Sequence, residues 1–352
     1  MSKSLAKQVE VLFDGDLLVF SICSAVEYKQ KERAAQEEWE DSDWLEFLPS
    51  ILRSVDSKIV AIMDRLGGTK YTVFFSCSNP DNFRTTVMPE YKLNRKDVWR
   101  PNNLKVAIAE TARVHPSKSV IGLEADDLLA HYQKTDGSTV IVTLDKDLLQ
   151  CRGAHYRWET QHEGEKFISV TGHGKLWMDI KCLKNKGGCG DTTHASRDNY
   201  VAASKSCQSC GTKLDSKNSK KEVKGNGALW FLYQCLIGDS TDGIMGCGTL
   251  TTQTYKSGPK AGTKYEKRKG VGSIAAFELL NPFLRYDSAL AVVKAQYVKQ
   301  FGGKWVTELL KQGRCLYMAK NINPDGLIQM WHYDHKVVEF FDAKLQELVY
   351  LD

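Results

Sequence analysis

Short β-branched and aromatic runs alternate along this chain with longer stretches whose apolar residues recur every three or four positions. Residues 9–13 (VEVLF), 71–76 (YTVFFS) and 139–143 (TVIVT) have the length and composition of buried strands. Residues 17–28 and 44–66 read as helices, the second with Leu45, Leu48, Leu52, Val55, Ile59, Ile62, Met63 and Leu66 on one face. Residues 29–43 are charge-dense and read as a solvated loop or helix end. A further helical pattern opens at Glu124, and 155–159 and 166–170 read as edge strands. Strand-then-helix order of this kind predicts an α/β fold, a mostly parallel sheet flanked by helices. Helical patterns at 227–238, 274–280, 286–301, 305–312 and 340–348 predict a helical second region, in which Trp331, His332 and His335 read as packing.

The strand runs end on acids. Asp14 directly follows 9–13, Asp145 and Asp147 follow 139–143, and Glu124, Asp126 and Asp127 open the helix before that strand. In an open α/β sheet, ligands bind beyond the carboxyl ends of the strands, so these side chains should converge on one edge. Any one of them is explained as an acid in the first turn of a helix, where the macrodipole favours negative charge. As a set they repel one another, which costs stability unless cations lie between them.

A chain of 352 residues with 42% hydrophobic content can bury a large core. Its net charge of +5 is the remainder of 48 basic and 43 acidic residues, so segregation matters more than the sum. A basic surface around an acidic pocket fits a polyanion bound over metal ions. No leader pattern opens the chain and no run approaches the roughly 18 apolar residues of a membrane span. These features predict a soluble intracellular protein with no membrane contact.

Three polar stretches carry candidate binding chemistry. Residues 79–100 interleave Arg84, Lys92, Asn94, Arg95, Lys96 and Arg100 with Phe83, Tyr91 and Trp99, which suits phosphate contact plus base stacking, or an ordinary exposed basic helix. Residues 179–227 turn to Gly, Ser, Asn and Lys and contain Cys182-x6-Cys189-x17-Cys207-x2-Cys210. Two thiolates two residues apart can share one tetrahedral ion, so this insertion predicts a zinc-ribbon-like segment holding structural Zn²⁺, with His194 the alternative to Cys182. Residues 246–269 carry Lys256, Lys260, Lys264, Lys267, Arg268 and Lys269 against Glu266, and read as a mobile solvated loop or a nucleic-acid contact. Gly270, Val271, Gly272 and Ser273 then open a helix whose free N–H groups suit a phosphate.

Four blocks, in order, carry a resemblance: FDGDLLVF (13–20), FR…PEYKLNRK (83–96), GLEADDLL…TLDKDLLQ (122–150), and IGDSTDGIMG (237–246) with KGVGSIAAFELL (269–280). The chain resembles the 5′→3′ exonuclease and flap endonuclease family, especially its bacteriophage members. The resemblance implies a PIN-like nuclease core followed by a helix–three-turn–helix, and a two-metal phosphodiesterase using Mg²⁺ or Mn²⁺ ions about 4 Å apart. It implies that Asp14, Glu124, Asp126, Asp127 and Asp145 surround the first metal, and that Asp147, Asp239 and Asp242 complete the second. Lys92 would neutralise the scissile phosphate, Arg84 and Arg95 would clamp the 5′ end, and Tyr91 would stack on a terminal base, with Lys96 beside them on the DNA. Gly270, Gly272 and Ser273 would grip duplex backbone through main-chain N–H groups, with a K⁺ ion at the helix–three-turn–helix.

The implied organisation is a nuclease core over 1–178 with a helical arch at about 79–115, the cysteine insertion over 179–227, and the DNA-binding region over 228–352. The implied substrates are DNA with a 5′ end, flap or nick and RNA–DNA hybrids. A monomer in the host cytoplasm, beside phage or host replication proteins, is expected. The sequence departs from the family where an Asp is expected after 71–76; Ser76 and Cys77 stand there, so either Asp81 supplies the carboxylate or the first metal is held more weakly. The basic insert also splits the helix–three-turn–helix block, and the cysteine segment lies outside the family's common core. Two other readings are a PIN-type ribonuclease, which lacks the 239–280 block, and a non-catalytic DNA-binding protein with a degraded metal site.

Overall fold

The computed structural model describes residues 8–78, 81–323 and 325–349. Six strands form the central sheet: β1 (Glu10–Asp14), β2 (Lys70–Phe74), β3 (Ser117–Lys118), β4 (Thr139–Val142), β5 (Gly153–Arg157) and β6 (Lys166–Val170). Their spatial order is β3-β2-β1-β4-β5-β6, parallel throughout except for the last pair. The chain leaves β1 in the middle, winds to one side through β2 and β3, and returns to the other through β4. The carboxyl ends of β1 and β4 therefore lie side by side where the winding reverses, the place at which such sheets bind ligands.

Alternation along β1 explains the layers. Val11 and Phe13 face a core with α1 (Gly15–Glu27) and, after the short α2 (Lys31–Gln36) and α3 (Asp41–Trp44), with α4 (Leu48–Leu66), through Leu18, Ile51, Val55 and Ile59. Leu12 faces the opposite core. On the first face α6 (Leu104–Val114) adds Ala107, following the five-residue α5 (Phe83–Val87). On the second, α7 (Ala125–Tyr132) contributes Leu128 and Leu129.

The segment expected as a helical arch, about 79–115, holds several short elements. Its first two residues, 79 and 80, lie outside the described residues. Beyond them come α5, a 3₁₀ turn at Leu93–Arg95 and α6. Pro89 forces Met88 out of the helical region to an extended backbone, which ends α5.

The insertion folds as a three-stranded antiparallel sheet: β7 (Lys175–Cys182) in the centre, flanked by β8 (Thr192–Ala195) and, after α8 (Tyr200–Ala203), by β9 (Ser219–Asn226). α9 (Gly227–Ile237) is apolar on every side and accordingly buried. Residues 246–269, expected as a loop, instead pair as β10 (Gly248–Thr254) and β11 (Lys264–Gly270). α10 (Ser273–Leu280), α11 (Tyr286–Phe301) and α12 (Trp305–Leu316) pack around α9 in a separate core that includes Phe277, Val293, Tyr297 and Leu309.

The expected C-terminal helix over 340–348 is replaced by strands. β12 (Leu327–Gln329), β13 (Phe340–Asp342) and β14 (Glu347–Val349) form a small antiparallel sheet that buries Ile328 and Phe341 against α7's side of the main sheet. Pairing with a distant strand outweighs the local helical period here. Among the described residues no helix is long and apolar enough to cross a membrane.

Candidate metal and nucleic-acid site

Asp14 ends β1 and caps α1, accepting from the Leu17 N–H at 3.0 Å and from the Thr143 hydroxyl at 2.7 Å. The same hydroxyl accepts from the Asp145 N–H at 2.9 Å, so Thr143 ties together the acids after β1 and β4. Asp145 in turn accepts from the Asp147 N–H at 2.7 Å. Glu124 caps α7, with Asp126 in that helix's first turn. Asp239 and Asp242 come from the loop after α9. Gly238 and Gly246 close that loop back to back: a Cβ on Gly238 would lie 2.2 Å from the Ile244 carbonyl oxygen, and one on Gly246 2.3 Å from the Gly238 nitrogen.

These carboxylates act on one another. Burial pushes Asp14 up to about 7, with Asp16 and Asp145 adding repulsion. Burial and repulsion from Asp145 and Asp239 push Asp147 up to about 8. Burial likewise raises Asp126, next to Asp145 and Asp14, and raises Asp145, next to Asp239. Burial raises Asp242 against the pull of Lys92 and Arg95. Glu124 is the exception: Lys92 and Arg84 outweigh its burial and hold it below the ordinary carboxylate range. Hard oxygen donors crowded to the point of protonation are what a divalent cation relieves, so the donor set fits such ions.

Lys92 is the shared counter-charge. Its Nζ is 2.5 Å from Glu124 Oε1 and 3.9 Å from Asp242 Oδ2, and its field also reaches Asp16, Asp126 and Asp145. Its backbone is left-handed (φ 58°), uncommon outside glycine, and its N–H donates to the Asp242 carbonyl at 2.9 Å. The segment is latched to the Asp239–Asp242 loop at further points. Asn94 donates to the Ser240 carbonyl at 2.8 Å, Arg95 Nε to the Thr241 carbonyl at 3.0 Å, and Arg95 pairs with Asp242. Lys96 is exposed alongside.

Four residues assigned from the sequence make other contacts in this structure. Arg84 is 1% exposed and makes a two-pronged pair with Asp127, at 2.6 and 2.8 Å, while also donating to the Cys315 and Tyr317 carbonyls. Its donors are consumed, so it is not a clamp on a 5′ end. Asp127, wholly buried, also accepts from the Glu124 and Ala319 N–H groups, which leaves no face open to a metal. Tyr91 is 2% exposed, and its hydroxyl donates to Glu124 at 2.9 Å, with Asp242 at 3.2 Å, so its ring is not a stacking platform. Arg95 holds the Asp242 loop in this structure rather than facing outward.

After β2 stand Ser76 and Cys77; the Ser76 N–H donates to Asp16 at 3.0 Å and its hydroxyl accepts from the Ala125 N–H at 3.0 Å. Asp81 is exposed and bonded to Ser78. Sequence reasoning passed over Asp16, although it lies two residues from Asp14. It also passed over Thr143 and Gln234, whose amide donates to Asp147 at 2.7 Å; a lone amide inside ALWFLYQCLI was the available signal.

In the insertion, the sulfurs of Cys182, Cys189, Cys207 and Cys210 all lie within 4.8 Å of one another. This is the one set of three or more His, Cys, Asp or Glu donors so close among the described residues; the acids at the sheet edge are spread more widely. His194, the alternative to Cys182, instead pairs with Asp179 at 2.6 Å. Gly270 and Gly272 precede α10, whose first residue is Ser273.

A parallel α/β domain that gathers carboxylates at the reversal of its sheet, beneath a lysine from a basic connection, defines a class. The family model of the 5′-3′ exonuclease N-terminal, resolvase-like domain matches residues 11–172, the part of the chain that holds the central sheet. A 5′-3′ exonuclease of Buchnera aphidicola subsp. Schizaphis graminum is 34% identical over 98 residues, which is 25% of this chain and 33% of that protein. The match thus spans about a third of that relative's length. Among solved structures, a bacteriophage T5 protein co-crystallised with metal ions is similar at TM-score 0.46 and 13% identity, covering 88% of this chain and 89% of that one. A bacteriophage T5 flap endonuclease in a pseudo-enzyme–product complex with DNA and metal ions follows at TM-score 0.44 and 13% identity, covering 88% and 86%.

Proposed function

We propose that the chain is a metal-dependent nuclease that hydrolyses DNA phosphodiester bonds from 5′ ends, flaps or nicks, and RNA in RNA–DNA hybrids. The observation that carries this reading is the set of mutually repelling carboxylates at the sheet edge of the segment that the 5′-3′ exonuclease model matches. Asp14, Asp126 and Asp145, with Asp16 and Glu124 beside them, would hold one Mg²⁺ or Mn²⁺, and Asp147, Asp239 and Asp242 the second. Bound there, the ions supply charge neutralisation and activation of the attacking water. The protein's own contributions are positional. Thr143 and Gln234 orient Asp14, Asp145 and Asp147 by hydrogen bonds. Lys92 leaves its carboxylate partners to neutralise charge building on the phosphate. Tyr91 and Arg95 keep the Asp242 loop docked, and the Arg84–Asp127 pair braces the start of α7. Gly270, Gly272 and Ser273 offer main-chain N–H groups to duplex backbone, with K⁺ nearby. The chain works as a monomer beside replication proteins.

A third ion, of a different kind, belongs to the insertion. Zn²⁺ at Cys182, Cys189, Cys207 and Cys210 is supported by four mutually close sulfurs and by N–H groups directed at them: Cys189 to Cys182, Asp191 to Cys189 and Thr212 to Cys210.

The test is cleavage of a 5′-labelled flap duplex with Mg²⁺, with Mn²⁺ and with chelator, comparing wild type with Asp145→Asn. Metal-dependent release of short 5′ products by the wild type, reduced roughly 1000-fold or more in the variant, is expected; that factor is about 4 kcal/mol of barrier. Cleavage by Asp145→Asn at the normal rate overturns the assignment.

A further inference from the structure

The basic insert is a built element. β10 and β11 pair over all seven residues of each strand, from Gly248 opposite Gly270 to Thr254 opposite Lys264. Its root is mounted rigidly on the helical region. Arg268 turns inward and donates to the Met245, Leu236 and Val271 carbonyls at 2.6, 2.8 and 2.9 Å. Both strands carry glycine where they meet: a Cβ on Gly270 would lie 2.3 Å from the Cys247 carbonyl oxygen, and one on Gly248 2.7 Å from Arg268 Nε. The outer end closes with Tyr255 and Tyr265 at 4.3 Å between ring centroids.

Strand alternation sorts the charges. Tyr265, Lys267 and Lys269 share one face with their cross-strand partners Gln253, Thr251 and Thr249; Thr251 and Tyr265 spend their hydroxyls inside the ribbon, on the Lys267 carbonyl and on Gln253, and the two ammonium groups are left exposed. Glu266, the lone acid, is on the other face with the inward Arg268 and with Lys264. Lys256 and Lys260 extend the positive charge through the turn. Lys256, Lys260, Lys267 and Lys269 are all exposed. No carboxylate among the described residues forms an ion pair with them. A solvated loop has no need of a three-carbonyl anchor or of charges sorted by face. The ribbon also leaves the chain directly after the Asp239–Asp242 loop and returns directly before α10, so its root is fixed next to the acidic site.

We propose that this β-ribbon is a nucleic-acid contact: it lies along the sugar–phosphate backbone of the duplex part of the substrate and binds phosphates through Lys256, Lys260, Lys267 and Lys269, without reading sequence. The ribbon holds the duplex while the strand end lies at the carboxylates. This rests on the reading of the chain as a nuclease for duplex-containing DNA.

The test measures binding of a fluorescent 5′-flap duplex, with chelator to prevent cleavage, across about 50 to 200 mM salt. Wild type is compared with Lys256→Ala/Lys260→Ala/Lys267→Ala/Lys269→Ala and with the matching Lys→Arg variant. The slope of log affinity against log salt should flatten by about 0.9 for each phosphate that is no longer neutralised, so by roughly 2 to 4 for the alanine variant, with binding at low salt weakened roughly 10- to 100-fold. The arginine variant should keep wild-type affinity and slope. Metal-dependent cleavage of a short single-stranded 5′-labelled oligonucleotide should be the same in all three proteins, since it needs only the carboxylate site. An unchanged salt slope in the alanine variant overturns the ribbon's role while leaving the nuclease reading intact. Absence of metal-dependent cleavage in the wild type strikes the nuclease reading instead. Equal loss of single-strand cleavage and duplex binding in the alanine variant, with a lowered melting temperature, makes the ribbon a folding element and also overturns the proposal.

Discussion

The acidic site at the sheet edge and the cysteine cluster of the insertion both group donors that suit cations, yet they stand in opposite relations to the fold. The carboxylates come from the ends of β1 and β4, the start of α7 and the loop after α9, and they are imposed on a core that is complete without them. That core, around Val11, Phe13, Ile51 and Val142, tolerates the repulsion of its edge. The thiols join the end of β7 to the stretch 183–218, whose buried apolar side chains are Ala195, Ala203, Cys207 and Leu214. In the first region the fold supports the site; in the second the site supports the fold. Oxygen ligands that repel one another suit exchangeable ions used in chemistry, and thiolates closed in a tetrahedron suit an ion that never leaves.

The largest effect that sharpens this contrast is zinc removal. Binding free energy at structural zinc sites is on the order of 10 kcal/mol and becomes folding free energy. Elemental analysis should find one zinc per wild-type chain and none in Cys207→Ser, which should also lose amide protection across 182–219 while protection of β1 and β4 persists. Zinc-free wild-type protein with a fully protected module would erase the distinction.

Next in size is the Arg84–Asp127 pair, which separates bracing from chemistry inside the acidic region. Arg84→Met leaves a buried carboxylate without its partner and should cost about 3–5 kcal/mol in denaturant unfolding. Unchanged stability with a loss confined to cleavage would return Arg84 to the substrate.

The smallest effect is the coupling of protons to metal. Asp14 and Asp147 have folded-state values of about 7 and about 8, above the ordinary carboxylate value of 3.8. The folded state therefore holds protons that the unfolded state has released. Stability of the metal-free protein falls as pH rises from about 4 through about 8 and levels off above. Divalent cations replace those protons, so Mg²⁺ should raise the melting temperature more at pH 8 than at pH 5.5, by a few degrees, on a scale of roughly 1–2 °C per kcal/mol for a chain of this size. An equal gain at both pH values would mean that the carboxylates are not the binding site.

Much of this arrangement is legible in the residues alone. β-branched runs at 9–13 and 139–143, each followed by Asp, determine buried strands with acids at their carboxyl ends, because periodicity and residue type are local properties. The same holds for the four cysteines, whose spacing announces the cluster that the fold closes, and for helix 286–301, whose pattern matches α11 to the residue. What only the tertiary structure decided concerns partners distant in sequence. Whether Asp127 meets a metal or Arg84 depends on Ala319 and Cys315, nearly 200 and more than 200 residues away. Tyr91 is buried rather than exposed because Glu124 and Asp242 come to its hydroxyl. Residues 340–342 are strand because they pair with both Leu327–Gln329 and Glu347–Val349, and the basic insert is a ribbon mounted where Arg268 finds three carbonyls. Local pattern determines which surface a segment must bury. The partner that completes each polar group, and so its role, is set by long-range packing that no window of sequence contains.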